Sequence, residues 1–228
     1  MNTIWITGGS SGIGYATAKK FLKNNWIVVI SSSNIQKLNK AKEKIKQHHS
    51  VDNLHLIQCD ISKQAEVEQT VTCIEKKIGN IDIALLNAAA YSANKNQKFD
   101  IKNYELLIDV NLKGTLYCIN TLKDFMKNRG NTIAIVSSPI GYRGWPTSGA
   151  YGMTKAAQLN LSESLFFDFK KIKIKVRVIN PGFIDTEATR LNSFKMPFLK
   201  SSDFAANKIY NGLVFKKKFE IYFPFFMV

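Results

Sequence analysis

The sequence predicts a single α/β domain built on a doubly wound, seven-stranded, mainly parallel sheet with helices on both faces. Three observations predict it. Short apolar runs alternate with longer amphipathic stretches along the chain. A glycine cluster stands between the first apolar run and the first amphipathic stretch. No Pro/Gly/Ser linker, repeat or low-complexity tract divides the 228 residues, so residues 1–228 read as one unit. Strand–helix alternation of this kind demands a parallel sheet with its connecting helices packed on it.

The strands read as Ile4–Thr7, Ile27–Ser31, Leu54–Gln58, Ile83–Asn87, Thr132–Ser137, Val176–Asn180 and Glu220–Phe223, each apolar enough to be buried on both faces. The helices read as Gly12–Asn24, Ile35–His48, Lys63–Ile78, Lys102–Asn128, Ser148–Lys171 and Ser202–Lys216. The stretch Gly182–Ser201 has no clear periodicity and carries Phe194, Met196, Pro197, Phe198 and Leu199. A long irregular segment inside a compact domain reads as a binding loop or lid, here over the substrate.

Composition bounds the function. Hydrophobic residues make 45% and charged residues 21% of the chain, as in ordinary globular domains, which excludes a disordered, collagen-like or disulfide-scaffold protein. Cys59, Cys73 and Cys118 are odd in number and widely spaced, which argues for a reducing compartment and a cytoplasmic location. His48, His49 and His55 lie together beside a surface helix, and no metal site is expected. The formal charge of +15 attracts anions, but arginine stands only at positions 129, 143, 177 and 190 and the lysines are dispersed. A codon bias accounts for such Lys-, Asn- and Ile-rich usage, and no specific nucleic-acid partner is expected. The tail Tyr222–Val228 is too short to span a bilayer, and no basic leader precedes the first strand.

Ligands of an open parallel sheet bind at the carboxyl ends of its strands. After the first strand comes Thr7-Gly8-Gly9-Ser10-Ser11-Gly12-Ile13-Gly14. Glycines there allow a tight turn and close approach of backbone to a pyrophosphate, and the helix N-terminus adds free N–H groups. The spacing is GxxxGxG rather than the commoner GxGxxG. A plain turn is the alternative. After the second strand, Ser31-Ser32-Ser33-Asn34 lacks the carboxylate that would hold a ribose 2′-OH and repel a 2′-phosphate, which leans to NADP(H) over NAD(H). Ser33 or Asn34 suits a helix cap equally well. After the third, Asp60 suits the adenine amino group, with Ile61 against the ring; Asp60 or Ser62 as a helix cap is the alternative. After the fourth, Asn87-Ala88-Ala89-Ala90 is small enough for a cofactor to lie close, or for ordinary packing.

The fifth strand ends in Ser137-Ser138, and Tyr151 and Lys155 follow one helical turn apart on one face. An ammonium a few Å away stabilises a phenolate and lowers the phenol pKa from its usual ~10. Such a phenol exchanges a proton with a carbonyl or alcohol oxygen, and Ser138 can hydrogen-bond the same oxygen. A Tyr and a Lys one turn apart are also common on any amphipathic helix.

Together these pieces resemble the short-chain dehydrogenase/reductase family in its single-domain, Rossmann-type branch. The resemblance covers the chain in family order: the Thr7–Gly14 loop, Asp60-Ile61-Ser62, Asn87-Ala88-Ala89, Asn111 in Val110-Asn111-Leu112-Lys113-Gly114, Ser138, Tyr151-Gly152-Met153-Thr154-Lys155, and Asn180-Pro181-Gly182-Phe183-Ile184-Asp185-Thr186. It implies an NAD(P)-dependent oxidoreductase moving hydride between nicotinamide and a carbonyl/secondary-alcohol substrate. Tyr151 would be the general acid/base. Lys155 would lower its pKa and hold the nicotinamide ribose, and Asn111 would anchor a water linking Lys155 to solvent. Gly8, Ser10, Gly12, Ile13 and Gly14, with Ser11 beside them, would line the pyrophosphate and adenosine. Ser32 and Ser33 would face the 2′ position, Asp60 and Ile61 the adenine, Asn87, Ala88 and Ala89 the adenosine side, and Pro181, Gly182, Ile184 and Thr186 the nicotinamide end. The resemblance also implies a homo-dimer or homo-tetramer through the two long helices. The substrate is expected to be a small molecule, hydrophobic or acyl-linked. One departure is Ala89, where the family often has glycine. A cofactor-binding sensor without turnover is the alternative function, but neither Tyr151 nor Lys155 is altered as that reading would favour.

Overall fold

The computed structural model describes residues 1–91, 99–216 and 218–224. Seven strands run β1 Thr3–Thr7, β2 Ile27–Ser32, β3 Leu54–Gln58, β4 Ile81–Leu86, β5 Thr132–Val136, β6 Lys175–Pro181 and β7 Glu220–Phe223. They form one sheet in the order β3-β2-β1-β4-β5-β6-β7, and every neighbouring pair is parallel, a stricter pattern than the mainly parallel sheet expected. The helices are α1 Gly12–Leu22, α2 Ile35–Lys46, α3 Gln64–Cys73, α4 Ile101–Leu107, α5 Gly114–Met126, α6 Gly149–Asp168 and α7 Ser202–Val214.

Strand alternation divides the core in two. Ile4 and Ile6 of β1, with Val28 and Ile30 of β2, face Phe21 of α1, Leu38 of α2 and Ile209 of α7. Trp5 and Val29, one residue out of phase, face Val67 of α3 and Leu122 and Met126 of α5, with Leu161 of α6 packed alongside. Both faces of the central strands are therefore dry, which is why these runs read as continuously apolar. Side-chain caps set three helix starts: Asn34 Oδ1 accepts from the Lys37 amide at 2.9 Å, Asp100 Oδ1 from the Lys102 amide at 3.1 Å and Ser201 Oγ from the Phe204 amide at 3.1 Å. Asn34 rather than Ser33 is thus the cap of α2, and α3 begins after Lys63 rather than on an Asp60 or Ser62 cap.

Two long helices expected from periodicity are interrupted. Lys63–Ile78 is α3 running into a π-helical turn at Ile74–Ile78. Lys102–Asn128 is α4 and α5 joined by a π-helical turn at Ile108–Lys113 that contains Asn111. The Thr115 hydroxyl donates to Asn111 O at 2.7 Å, and a side chain taking up a helix carbonyl disturbs the regular ladder there. Among the described residues no helix is long and apolar enough to cross a membrane, and no cluster of His, Cys, Asp or Glu suits a metal ion.

Candidate active site

The strand order reverses between β1 and β4, and the chain ends of both strands are tied together there. The Asn87 and Ala88 amides donate to the Thr7 hydroxyl at 2.9 and 3.0 Å. Asn87 Nδ2 donates to Thr7 O at 3.0 Å and to Gly8 O at 3.2 Å. Much of the Asn87 amide is thus spent on holding the glycine loop against β4, beyond the cofactor-facing role expected of it. Glycine is required at two points of that loop. Gly8 has φ +66°, and a Cβ on it would lie 2.8 Å from Ala88 Cα. A Cβ on Gly14 would lie 2.5 Å from Gly8 O. Gly14 is buried in α1 beneath the loop and seats the helix rather than facing outward.

A cleft of about 720 Å³ opens over this junction and runs along the carboxyl ends of the strands. It is of the size that takes a nucleotide cofactor or drug-sized ligand. Gly8, Ser10, Ser11, Gly12 and Ile13 border it at the N-terminus of α1. Ser32 at the end of β2 and Ser33 after it border the cleft, with Lys37 nearby, as do Asp60 and Ile61 after β3. Asp60 Oδ1 accepts from the Ser62 amide at 3.0 Å and hydroxyl at 2.7 Å, which shapes that turn. Ala88 and Ala89 follow β4; Pro181 ends β6, and Gly182, Ile184 and Thr186 follow it. Of the expected cofactor residues Gly14 alone does not border the cleft.

Ser138, Tyr151 and Lys155 meet at the other half of the cleft. Ser138 stands two residues beyond β5 and its hydroxyl accepts from the Ile140 amide at 3.4 Å. Lys155 is 2% exposed, and its Nζ donates to Val136 O at 2.8 Å and to Gln158 Oε1 at 2.9 Å. Nζ stands 5.3 Å from the centre of the Tyr151 ring. Burial pulls the Lys155 ammonium down to about 7. Burial, with a contribution from Tyr91, pushes the Tyr151 phenol up. The lowering expected for Tyr151 is therefore reversed: desolvation acts on phenolate and ammonium alike, and the amine is turned toward β5 and Gln158.

Asn111 is fully buried and does not border the cleft. Its Oδ1 accepts from the Ala90 amide at 2.8 Å, and its Nδ2 donates to Ala90 O and Thr154 Oγ1, each at 3.1 Å. Its carbonyl accepts from Gln158 Nε2 at 2.8 Å. Gln158 thus links the Asn111 carbonyl to Lys155.

Sequence reasoning missed the aromatic wall beside Tyr151. Tyr91 packs edge-on against Tyr151 with ring centres 5.0 Å apart, and its hydroxyl donates to Asn192 Oδ1. Trp145, Phe183 and Phe194 form a chain of ring contacts at 6.0 and 5.7 Å. Leu106 and Val110 add to the lining. The strand-end rule signals Tyr91, which directly follows the small residues after β4; the rest come together only in the fold. The loop after β6 is irregular as expected, with one short 3₁₀ turn at Thr189–Leu191. Its ends are clasped: the Asp185 amide donates to Lys200 O at 2.8 Å and the Lys200 amide to Phe183 O at 3.0 Å. Phe194 reaches the cleft, whereas Phe198 and Leu199 are exposed and do not line it.

A family model described as short chain dehydrogenase matches residues 2–195. An uncharacterized oxidoreductase of Staphylococcus epidermidis is 30% identical over 190 residues, which cover 83% of this chain and 80% of that protein. Carbonyl reductase family member 4 of Xenopus laevis is 32% identical over 189 residues, covering 81% and 76%. Among solved structures, an alcohol dehydrogenase of the archaeon Thermococcus sibiricus, complexed with 5-hydroxy-NADP, superposes with a TM-score of 0.85. That likeness covers 97% of this chain and 95% of that one at 23% identity, and speaks for the fold.

Proposed function

The chain belongs to the short-chain dehydrogenase/reductase family, a family of NAD(P)-binding oxidoreductases, and on that premise we propose that it interconverts a carbonyl and a secondary alcohol with Tyr151 moving the proton. One observation carries the reading: Tyr151, Lys155 and Ser138 open on the same cleft as the glycine loop at the head of α1. The residues present fit a dinucleotide. Ser10, Ser11 and Ile13 stand at a helix N-terminus suited to a pyrophosphate, and Asp60 and Ile61 suit the adenine. Asn87, Ala88 and Ala89 lie along the adenosine side, and Pro181, Gly182, Ile184 and Thr186 would hold the nicotinamide end. NAD(P), when bound, supplies or takes the hydride.

This chain's own groups handle the proton. The raised Tyr151 keeps its phenolic proton at neutral pH and gives it to a carbonyl oxygen as that oxygen gains charge. Ser138 Oγ donates to the same oxygen. Lys155, held near 7, exchanges a proton at neutral pH and returns one toward Tyr151. Ser32 and Ser33, with Lys37 and without a carboxylate, favour the 2′-phosphate of NADP(H). Tyr91, Trp145, Phe183 and Phe194 favour an uncharged, apolar carbonyl compound. Exposed Leu116 on α5 and Phe166 and Phe167 on α6 favour a homo-oligomer through those helices, which sedimentation would detect.

The test is a fluorescence titration with NADPH and NADH at one ionic strength, followed by turnover on aryl and small aliphatic ketones. Saturable NADPH binding and preferential reduction of the aryl ketones are expected. Binding of neither cofactor would overturn the enzyme reading.

A further inference from the structure

Lys155 is buried without an acidic partner. The groups facing its amine are few: Tyr151 from α6, with Tyr91 behind it, and the Val136 carbonyl from β5. The π-helical turn presents Asn111, which is neutral, and among the described residues no carboxylate pairs with Lys155. The remaining contact is Gln158, one helical turn on and 2% exposed.

The orientation of the Gln158 amide is set by its other end. Nε2 donates to Asn111 O at 2.8 Å and to Thr115 Oγ1 at 2.9 Å, both buried acceptors across the helix interface. A flipped amide would point its oxygen at two acceptors and its NH₂ at an ammonium, so Oε1 is obliged to face Lys155. Asn111 O is available to α6 because it lies in the π-helical turn.

We propose that Gln158 is a positioning residue for the reaction proposed above: its amide bridges Lys155 to the π-helical turn, holds Nζ against the end of β5 and favours the ammonium over the free amine. The inference rests on the reading of Lys155 as part of the proton machinery. The hydrogen bond from Lys155 to Gln158 stabilises the charged form, opposing the burial that lowers Lys155 toward 7.

The experiment follows the Lys155 titration directly, by NMR of 13Cε-labelled lysine in the full chain, with the resonance assigned by its loss in Lys155→Arg. Gln158→Glu, which places a carboxylate on Nζ, is expected to raise the midpoint by about one unit or more. Gln158→Met, which keeps the volume and removes the acceptor, is expected to lower it by about half a unit or more. The acid limb of the kcat–pH profile should move with each midpoint while KM for the ketone changes little. A filler of space would cost thermal stability in both variants and leave the midpoint in place, and an unmoved midpoint overturns the proposal. Should Gln158→Glu fail to fold, Gln158→Met decides alone. A midpoint that moves in a protein without turnover would leave this inference standing and sink the enzyme reading instead.

Discussion

The Thr7 hydroxyl accepts two backbone N–H groups across the strand junction, those of Asn87 at 2.9 Å and Ala88 at 3.0 Å. Neither N–H lies in the β1–β4 ladder, so one side chain closes the place where the sheet order reverses. Thr7→Val keeps the shape and removes the acceptor. Leaving these part-buried N–H groups unpaired costs about 1–3 kcal/mol, or a melting temperature lower by roughly 3–10 °C. Thr7→Ser should recover most of the loss. Calorimetry on the two variants checks this, and equal stability of parent and Thr7→Val would refute it.

Tyr151→Phe removes the phenolic proton and keeps the ring that packs on Tyr91. General acid catalysis supplies about 10²–10⁴ in rate, so ketone turnover should fall by about a thousandfold. Cofactor affinity, set mainly by other parts of the cleft, should stay near that of the parent. Single-turnover kinetics with fluorescence binding separates the two, and near-normal turnover would remove Tyr151 from the chemistry.

Ser32 borders the cleft at the end of β2, and its hydroxyl accepts from the Asn34 amide at 3.3 Å. Ser32→Asp sets a negative charge against a 2′-phosphate and offers an acceptor to a 2′-hydroxyl. The ratio of NADPH to NADH affinity should drop by about tenfold or more. An unchanged ratio would place the 2′ position elsewhere.

Lys155 has an ordinary value of 10.5 and is drawn down to about 7 by burial. Below about 7 it is charged both folded and unfolded, and the folded protein bears the full desolvation cost. Between 7 and 10.5 the unfolded chain binds the extra proton, so this group's contribution to stability rises with pH across that window. Lys155→Met removes the pH-dependent part and leaves Val136 O and Gln158 Oε1 without their donor at every pH. The melting temperature of Lys155→Met relative to the parent should therefore be higher at pH 6 than at pH 9.5, by about 5 °C or more. A difference independent of pH would contradict a depressed Lys155.

The strands were legible because each is a short apolar run between polar turns, and a central strand such as Thr3–Thr7 is buried at every position. The cleft was legible through one topological rule, that ligands lie at the carboxyl ends of a parallel sheet. The break in the helix around Asn111 was not, since apolar spacing continues through Ile108–Lys113 and the π-helical turn depends on contacts from Ala90, Thr154 and Gln158. Nor was the aromatic wall, because Tyr91 and Asn192 meet across 101 residues of sequence. The direction of the Tyr151 shift is hidden in the sequence for a related reason. Spacing puts Lys155 beside Tyr151, but only the fold shows that Lys155 is buried, that Tyr151 is half-buried against Tyr91, and which way the amine turns.

The clasp between Ile184 and Lys200 has a consequence for how such a protein can diversify. The segment between them leaves and rejoins the scaffold at adjacent points, so its length and composition can change at little entropic cost to the sheet. Phe194, which reaches the cleft from this segment, is thus an exchangeable part on a constant frame, while Tyr151, Lys155 and Gln158 are anchored in α6 and its neighbours. New specificities can be grafted around residues 193–199, leaving Thr186 at the cleft and the Tyr91–Asn192 contact beside Tyr151 in place.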